Sequence, residues 1–274
     1  MKRKKDIALV YMVAGLSKRF GGKLKWLAKV GPNGETLIEY SLNQALPAGF
    51  TKIIFVVGEK TEKPFKEKFG ESYKGIPIYY TKQEFDTKAR DRPWGTVDAL
   101  CSAKQFIDCP FVVCNGDDIY GENTFRILVN HLKKEKTNAT VGYKLRAVLF
   151  EEGSVNRGII ELDSKSNVKS ITEVFNITKM NLESKGLSLD TLCSMNLFGL
   201  HPNTLDLLHK VLIKFKKKYE EDRTIECLLP NELSKLIKEG KIIMHAYSTN
   251  DKWFGITNPE DEEKVREQLK EIEN

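Results

Sequence analysis

The 274 residues predict a single α/β domain, a mixed and mostly parallel sheet with helices on both faces. Three observations carry this expectation. Short apolar runs rich in β-branched and aromatic residues alternate with helical stretches through the first half, which is the signature of βαβ units. No Pro/Gly/Ser linker divides the chain, and no internal repeat or low-complexity tract competes with that pattern.

Taken in order, the segments starting at Ile7, Lys52, Ile76 and Pro110 and ending at Val13, Val57, Tyr80 and Cys114 read as strands buried on both faces. Between them lie helices over 36–45, over 97–106 with Thr96 as N-cap, and over 122–134, where Phe125, Leu128, Val129 and Leu132 form one stripe. The second half changes character. Residues 157–162 and 168–175 read as a hairpin turned by 163–167. Strands over 194–200 and 242–247 follow, with helices over 203–217 and 224–238 between them. A terminal helix over 259–273 is expected, capped by Asn258 with Pro259 in its first turn. The expected domain falls into a first half of about 6–121 and a second half of about 122–261.

Lys plus Arg exceed Asp plus Glu by 44 to 38, a net charge of +6. That excess suits a phosphate-bearing ligand, yet the acids dilute it too far for coating nucleic acid. The basic start before Ile7 imitates a secretory leader, but Asp6 and the basic stretch from Lys18 to Lys25 argue against one. No segment approaches the run of roughly 18 apolar residues that crosses a membrane, so a soluble, cytoplasmic protein is expected. Five cysteines without a CxxC pair and four scattered histidines disfavour a disulfide scaffold and a structural zinc site.

After the first strand comes Ala14-Gly-Leu-Ser-Lys-Arg-Phe-Gly-Gly-Lys-Leu-Lys25, with three glycines, four cations and no acid. Glycine lets backbone N–H groups approach an anion closely while the cations neutralise it, the composition of a triphosphate cradle. A dinucleotide fingerprint would need glycine where Ser17 and Phe20 stand, and a Walker A loop would need Ser or Thr where Leu24 follows Lys23. Phe111-Val-Val-Cys-Asn-Gly-Asp-Asp118 delivers two carboxylates at a strand's C-terminal end, where open α/β sheets bind ligands. Magnesium takes hard oxygen ligands, often one or two carboxylates plus phosphate oxygens, and Asp117 fits that role. Side chains alternate along an extended chain, so Asp118 is expected to point away from Asp117 and to cap the turn or brace the site.

These segments together resemble the sugar-phosphate nucleotidylyltransferase family. Ala14-Gly15, Arg19, Lys25, Gly31 and Gly34-Glu-Thr-Leu-Ile38 resemble its opening signature. Gln83 and Pro93-Trp-Gly-Thr-Val-Asp-Ala-Leu100 resemble its base-contacting segment, and Asn115-Gly-Asp-Asp-Ile-Tyr-Gly121 its metal-binding strand end. Asn156-Arg-Gly158, Thr172-Glu173 and Ser194-Met-Asn196 resemble its sugar-pocket stretches, and Trp253-Phe-Gly-Ile-Thr-Asn-Pro-Glu-Asp261 its closing motif. The likeness spans about residues 7–261 with the motifs in family order.

The resemblance implies a Rossmann-like fold of the nucleotide-diphospho-sugar transferase type and a magnesium-dependent reaction. A phosphorylated sugar attacks the α-phosphorus of a nucleoside triphosphate and pyrophosphate leaves. It implies Arg19, Lys25 and Asp117 as catalytic residues, and Ala14, Gly15, Leu16, Ser17, Gln83, Pro93, Gly95, Thr96 and Gly116 as nucleotide contacts. It implies Asp118, Gly158, Glu173 and Asn196 as acceptor contacts. Three departures stand out. Ser17 replaces a glycine of the opening signature, Val174 stands where many members have a phosphate-contacting lysine, and Gly255 stands where many place a second metal-binding aspartate, for which Asp251 is the candidate substitute. The base, among cytosine, uracil and thymine, stays open, as does an acceptor that is a phosphorylated alcohol or amino compound. A glycosyltransferase of the same fold is disfavoured because such enzymes present Asp-x-Asp, whereas Asp117 and Asp118 are contiguous. A nucleotide sensor that binds without turnover also remains.

Overall fold

The computed structural model describes residues 5–15, 24–149, 153–256 and 261–273. Twelve strands and eight α-helices are described: β1 (Ala8–Val13), α1 (Leu37–Ala45), β2 (Lys52–Val57), α2 (Glu62–Phe69), β3 (Ser72–Tyr73), β4 (Ile76–Lys82), α3 (Thr96–Ser102), β5 (Phe111–Asn115), β6 (Asp118–Ile119), α4 (Glu122–Lys134), β7 (Asn138–Lys144), α5 (Leu145–Val148), β8 (Val155–Leu162), β9 (Val168–Ile177), β10 (Leu192–Leu200), α6 (Pro202–Lys218), α7 (Leu229–Lys238), β11 (Met244–Ser248), β12 (Phe254–Gly255) and α8 (Asp261–Glu273). Their main sheet runs β11-β7-β10-β5-β1-β2-β4-β3, with β8 joined to β10 and β9 to β8.

The sheet is α/β and mixed, as the alternating pattern predicts. β1 pairs in parallel with β2 on one side and β5 on the other. β2 and β4 extend the parallel set, and β10 inserts antiparallel between β5 and β7. Alternate residues of β1 serve two cores. Leu9, Tyr11 and Val13 pack with Ile38, Phe65 and Phe125 of α1, α2 and α4, while Ala8, Val10 and Met12 pack with Leu100, Leu208 and Leu233 of α3, α6 and α7. Full burial of each such side chain contributes on the order of 1.5–3 kcal/mol, which is why a strand covered on both faces can be apolar at every position.

The structure revises several expected boundaries. Gly95, at φ +99°, holds the cap position of α3, and the Thr96 hydroxyl instead accepts the Leu229 N–H at 2.8 Å. The helix expected from 224 starts at Leu229, because the Asp222 carboxylate accepts the N–H groups of Thr224 and Ile225 in a turn and Pro230 then opens the helix. Six elements went unread in the sequence: α2, β7 and the short β3, β6, α5 and β12. The Asn258 cap lies outside the described residues, and among those residues no helix is long and apolar enough to cross a membrane.

Candidate active site at the carboxyl ends of β1 and β5

Because β1 and β5 are adjacent and parallel, with Met12 paired to Asn115, the chain leaving each strand emerges at the same edge. This is the crevice where doubly wound sheets bind ligands. The Gly116 N–H donates to Met12 O at 3.1 Å, stitching the acidic turn to the end of β1. A Cβ on Gly116 would come within 2.2 Å of Val13 Cγ1 and 3.0 Å of Trp26, so only glycine allows this approach. Trp26 is fully buried in a short 3-10 turn, Lys25–Leu27, and that turn presents Lys25. The Lys25 ammonium donates to Asp117 Oδ2 in an ion pair between partly exposed side chains. The basic segment and the acidic turn therefore meet. Arg19, Leu16 and Ser17 lie outside the described residues.

On one side of this junction is a cavity of about 840 Å³, whose walls include Ala14, Gly58, Gln83, Arg90 and Pro93. Gln83 is held with unusual completeness. Its Nε2 donates to Gly95 O at 3.0 Å and to Asp98 Oδ2 at 2.9 Å. The other oxygen of the buried Asp98 carboxylate is ion-paired with Lys216 Nζ at 2.5 Å. Two acceptors consume both amide protons of Gln83 and fix its orientation, so its Oε1 is the atom left to accept a bond. Gly95 and Thr96 do not line the cavity; they pin its floor. A Cβ on Gly95 would stand 2.7 Å from Cys227 O, and Gly95 presents its carbonyl to Gln83. Arg90, buried beside the cavity, stacks on Trp94 at 3.4 Å and donates to the carbonyls of Arg92, Asp222 and Ile225, locking the loop that ends at Pro93. Trp94 is packing, not cavity wall.

On the other side is a cavity of about 230 Å³ lined by Asp117, Asp118, Arg157, Gly158, Glu173, Asn196, Trp253 and Gly255 among others. All four residues expected at the acceptor are thus brought together beside Asp117. β8 and β9 place Gly158 opposite Glu173, and a register shift in β10 between Ser194 and Phe198 carries Asn196 at φ +56°, turning this residue out of the ladder. Asp118 opens β6, paired across to Gly255 of β12. Its Oδ2 accepts from Asn115 Nδ2 and the Tyr120 hydroxyl, each at 3.1 Å. Burial, then the neighbouring Asp117 charge, pushes the Asp118 carboxyl up to about 7. Partial burial also holds Glu173 above the ordinary carboxylate range, with Arg157 opposing that shift.

Asp251 is placed elsewhere. Its Oδ2 accepts the Thr124 N–H at 2.7 Å and the Thr124 hydroxyl at 3.0 Å, capping the N-terminus of α4, and it does not line the cavity around Asp117. The helix end, with unsatisfied N–H groups and a positive dipole, explains the need for a carboxylate there. At Gly255 a Cβ would stand 2.9 Å from Asp118 Oδ1. The Trp253 ring, 2.5 Å from that Cβ, fills the position, while Asp117 and Asp118 line the same cavity rather than pointing apart as expected, a pair of hard oxygen donors of the kind magnesium takes. Among the described residues no group of three or more His, Cys, Asp or Glu is placed to hold a metal ion. Asp98 and Arg157 lie inside the family-like stretches Pro93–Leu100 and Asn156–Gly158 but were assigned no role in the sequence, and Arg90 lies in none of these stretches.

A family model described as nucleotidyl transferase matches residues 25–256, and the chain belongs to that family; it is a nucleotidyltransferase. The bifunctional protein GlmU of Methanococcus maripaludis (strain C7 / ATCC BAA-1331) is 29% identical over 212 residues, covering 77% of this chain and 41% of that protein. The chain thus spans less than half the length of that relative. Among solved structures, the inositol-1-phosphate CTP transferase from T. maritima superposes with a TM-score of 0.68 at 15% identity, covering 98% of this chain and 97% of the other. A UDP-glucose pyrophosphorylase complexed with UDP-glucose gives 0.66 at 16% identity, covering 98% and 100%. At these identities the likeness establishes the fold alone, a mixed and mostly parallel sheet with helices on both faces.

Proposed function

We propose that this nucleotidyltransferase moves a nucleotidyl group from a nucleoside triphosphate to a phosphorylated sugar, with magnesium, giving a nucleotide sugar and pyrophosphate. The observation that carries this reading is the contact of Lys25 with Asp117, an acid that lines the smaller, carboxylate-rich cavity, at the same sheet edge where Ala14 after β1 lines the larger cavity walled by a fixed amide. The similarity to the bifunctional protein GlmU and to a UDP-glucose pyrophosphorylase lends support.

The base occupies the larger cavity against Gln83, with the triphosphate running across the mouth of β1 over Ala14 and Gly15. Lys25, and Arg19 from the preceding segment, neutralise its phosphates. The acceptor occupies the smaller cavity against Gly158, Glu173 and Asn196. Its phosphate oxygen forms the new bond to the α-phosphorus as the bond to the bridging oxygen breaks, and the electron pair leaves on pyrophosphate. The nucleophile is already an anion, so no general base is required, and the protein contributes positioning and charge neutralisation. Asp117 with Asp118 would hold magnesium, which when bound supplies Lewis-acid neutralisation of the phosphate oxygens.

The test is a panel of CTP, UTP and dTTP against phosphorylated sugars, alcohols and amino compounds, read by pyrophosphate release. Turnover with a hexose phosphate and production of the nucleotide sugar are expected. Triphosphate binding without any pyrophosphate release across the panel refutes the proposal in favour of a sensor. Turnover only with a phosphorylated alcohol or amino compound moves the acceptor class.

A further inference from the structure

The smaller cavity presents an electrostatic problem. Its lining includes three carboxylates, Asp117, Asp118 and Glu173, and an acceptor must carry a phosphate dianion into it. Arg157 is the one cation among the described residues that line it. The guanidinium is set for a ligand and lacks one in the protein. Its Nη1 donates to Asn156 O at 3.1 Å and its Nη2 to Val148 O at 3.2 Å, both neutral carbonyls, while the buried Nε–H has no partner. No carboxylate of the described residues forms an ion pair with it; Asp118 and Glu173 act on its charge without touching it. The side chain is braced against the Trp253 ring, 5.2 Å from its centroid. A cation held rigidly by carbonyls and an aromatic face, with a donor left unmade, is a preorganised fork for an oxyanion.

We propose that Arg157 is the acceptor-phosphate clamp, taking phosphate oxygens on its unused N–H groups and so selecting acceptors that carry a phosphate. This rests on the nucleotidyl-transfer reading above and names the residue that reads its second substrate. Asp117, Asp118 and Glu173 line the cavity the acceptor enters, and Arg157 offsets the repulsion they impose on the incoming dianion.

The experiment compares wild type, Arg157→Met and Arg157→Lys, with melting temperatures as the folding control. Methionine keeps the chain length against Trp253 and removes the charge; lysine keeps the charge and loses the fork. Pyrophosphate release is measured with the best triphosphate and acceptor of the panel, and binding of inorganic phosphate to nucleotide-free protein is titrated calorimetrically. Arg157→Met is expected to raise the KM for the acceptor roughly 10- to 100-fold, the range of one lost charge-assisted hydrogen bond or two. The KM for the triphosphate should stay within about twofold, with Arg157→Lys between the two and phosphate binding weakened in the same order. An unchanged acceptor KM, or an equal rise for the triphosphate, overturns the assignment. Should no acceptor be turned over by wild type, the functional reading fails and the phosphate titration alone decides: weaker binding in Arg157→Met upholds the clamp, equal binding removes it.

Discussion

Replacing Asp98 by asparagine tests whether the fixed amide of Gln83 reads the base. In wild type the Nε2-inward orientation is held by one bond to a neutral carbonyl, Gly95 O, and one to the Asp98 carboxylate. Bonds of these kinds are worth about 0.5–1.5 and 1.5–3 kcal/mol, so the flipped amide lies about 2–4.5 kcal/mol higher and is populated at a few per cent or less. Lys216 needs an acceptor, so in Asp98→Asn the new side chain turns its oxygen to Lys216 and its NH2 to Gln83. Each orientation of Gln83 then meets one partner and one clash: the inward Nε2 opposes the new NH2, and a flipped Oε1 opposes Gly95 O. The two orientations fall to within about 1 kcal/mol of one another. Uracil and cytosine present opposite donor and acceptor patterns at positions 3 and 4, so a single rigid acceptor separates them and a freely flipping amide does not. Whichever of UTP and CTP wild type prefers, the ratio of their kcat/KM values should narrow at least about tenfold in Asp98→Asn. Asp98→Ala, which leaves the Gly95 bond intact, should narrow it less. Steady-state kinetics with both triphosphates decide the matter, and an undiminished preference in Asp98→Asn refutes the argument.

Asp117→Ala and Lys25→Ala are each expected to fold and to lose on the order of 10²- to 10³-fold in pyrophosphate release, the usual effect of removing one preorganised charge; full turnover by Asp117→Ala would exclude it from the reaction. Gly116→Ala should lower the melting temperature, by about 1–3 kcal/mol of overpacking, because the new methyl meets Val13 and Trp26. Burial lowers the pKa values of His131, whose Nε2 lies 2.8 Å from Thr137 O and whose Nδ1 faces the Tyr247 hydroxyl, and of His201. Their unfolded forms bind protons more readily, so stability should fall as pH drops below about 6.5, and His131→Gln should flatten that limb of a melting-temperature profile. Asp118 acts in the opposite direction. Its folded pKa is raised, so the unfolded state loses its proton first and stability falls as pH climbs toward about 7. Asp118→Asn should therefore melt above wild type at pH 8 in EDTA, with the difference gone below pH 4.

The strands around the crevice were legible because burial on both faces leaves an unbroken apolar run, as at Lys52–Val57. β7 was not. Its Asn138-Ala-Thr-Val-Gly-Tyr-Lys144 is buried almost throughout, yet Asn138 receives the His201 N–H, Thr140 bonds to Leu197 O and Gly142 packs against Leu192 and Ile160, so small and polar residues serve where an apolar pattern would be sought. α2 was hidden by its charges, with only Phe65 and Phe69 turned to the core. At the site, Lys25, Asp117 and Glu173 were singled out in the sequence by type and family likeness, and the structure puts Lys25 in contact with Asp117 and Glu173 in the cavity that Asp117 lines. Asp98 and Arg157 stood in family-like stretches without a role of their own, because what each touches is far away in the chain: Lys216 on α6 for one, Trp253 for the other.

Asp251 and Gly255 show how the same residues can be read oppositely. By sequence, a carboxylate four residues from a missing one looks like its replacement. By geometry the two positions serve different masters: Asp251 closes the N-terminus of α4, while Gly255 lies on β12 directly across from Asp118. A Cβ at 255 would stand 2.5 Å from Trp253 Cζ2 and 2.9 Å from Asp118 Oδ1, so introducing bulk at 255 must displace the indole, the acid it faces, or both. Gly255→Ala should then impair magnesium-supported turnover more than triphosphate binding, measured by activity against metal concentration and by nucleotide titration. Equal loss in both would mean that Gly255 shapes the cavity without governing Asp118.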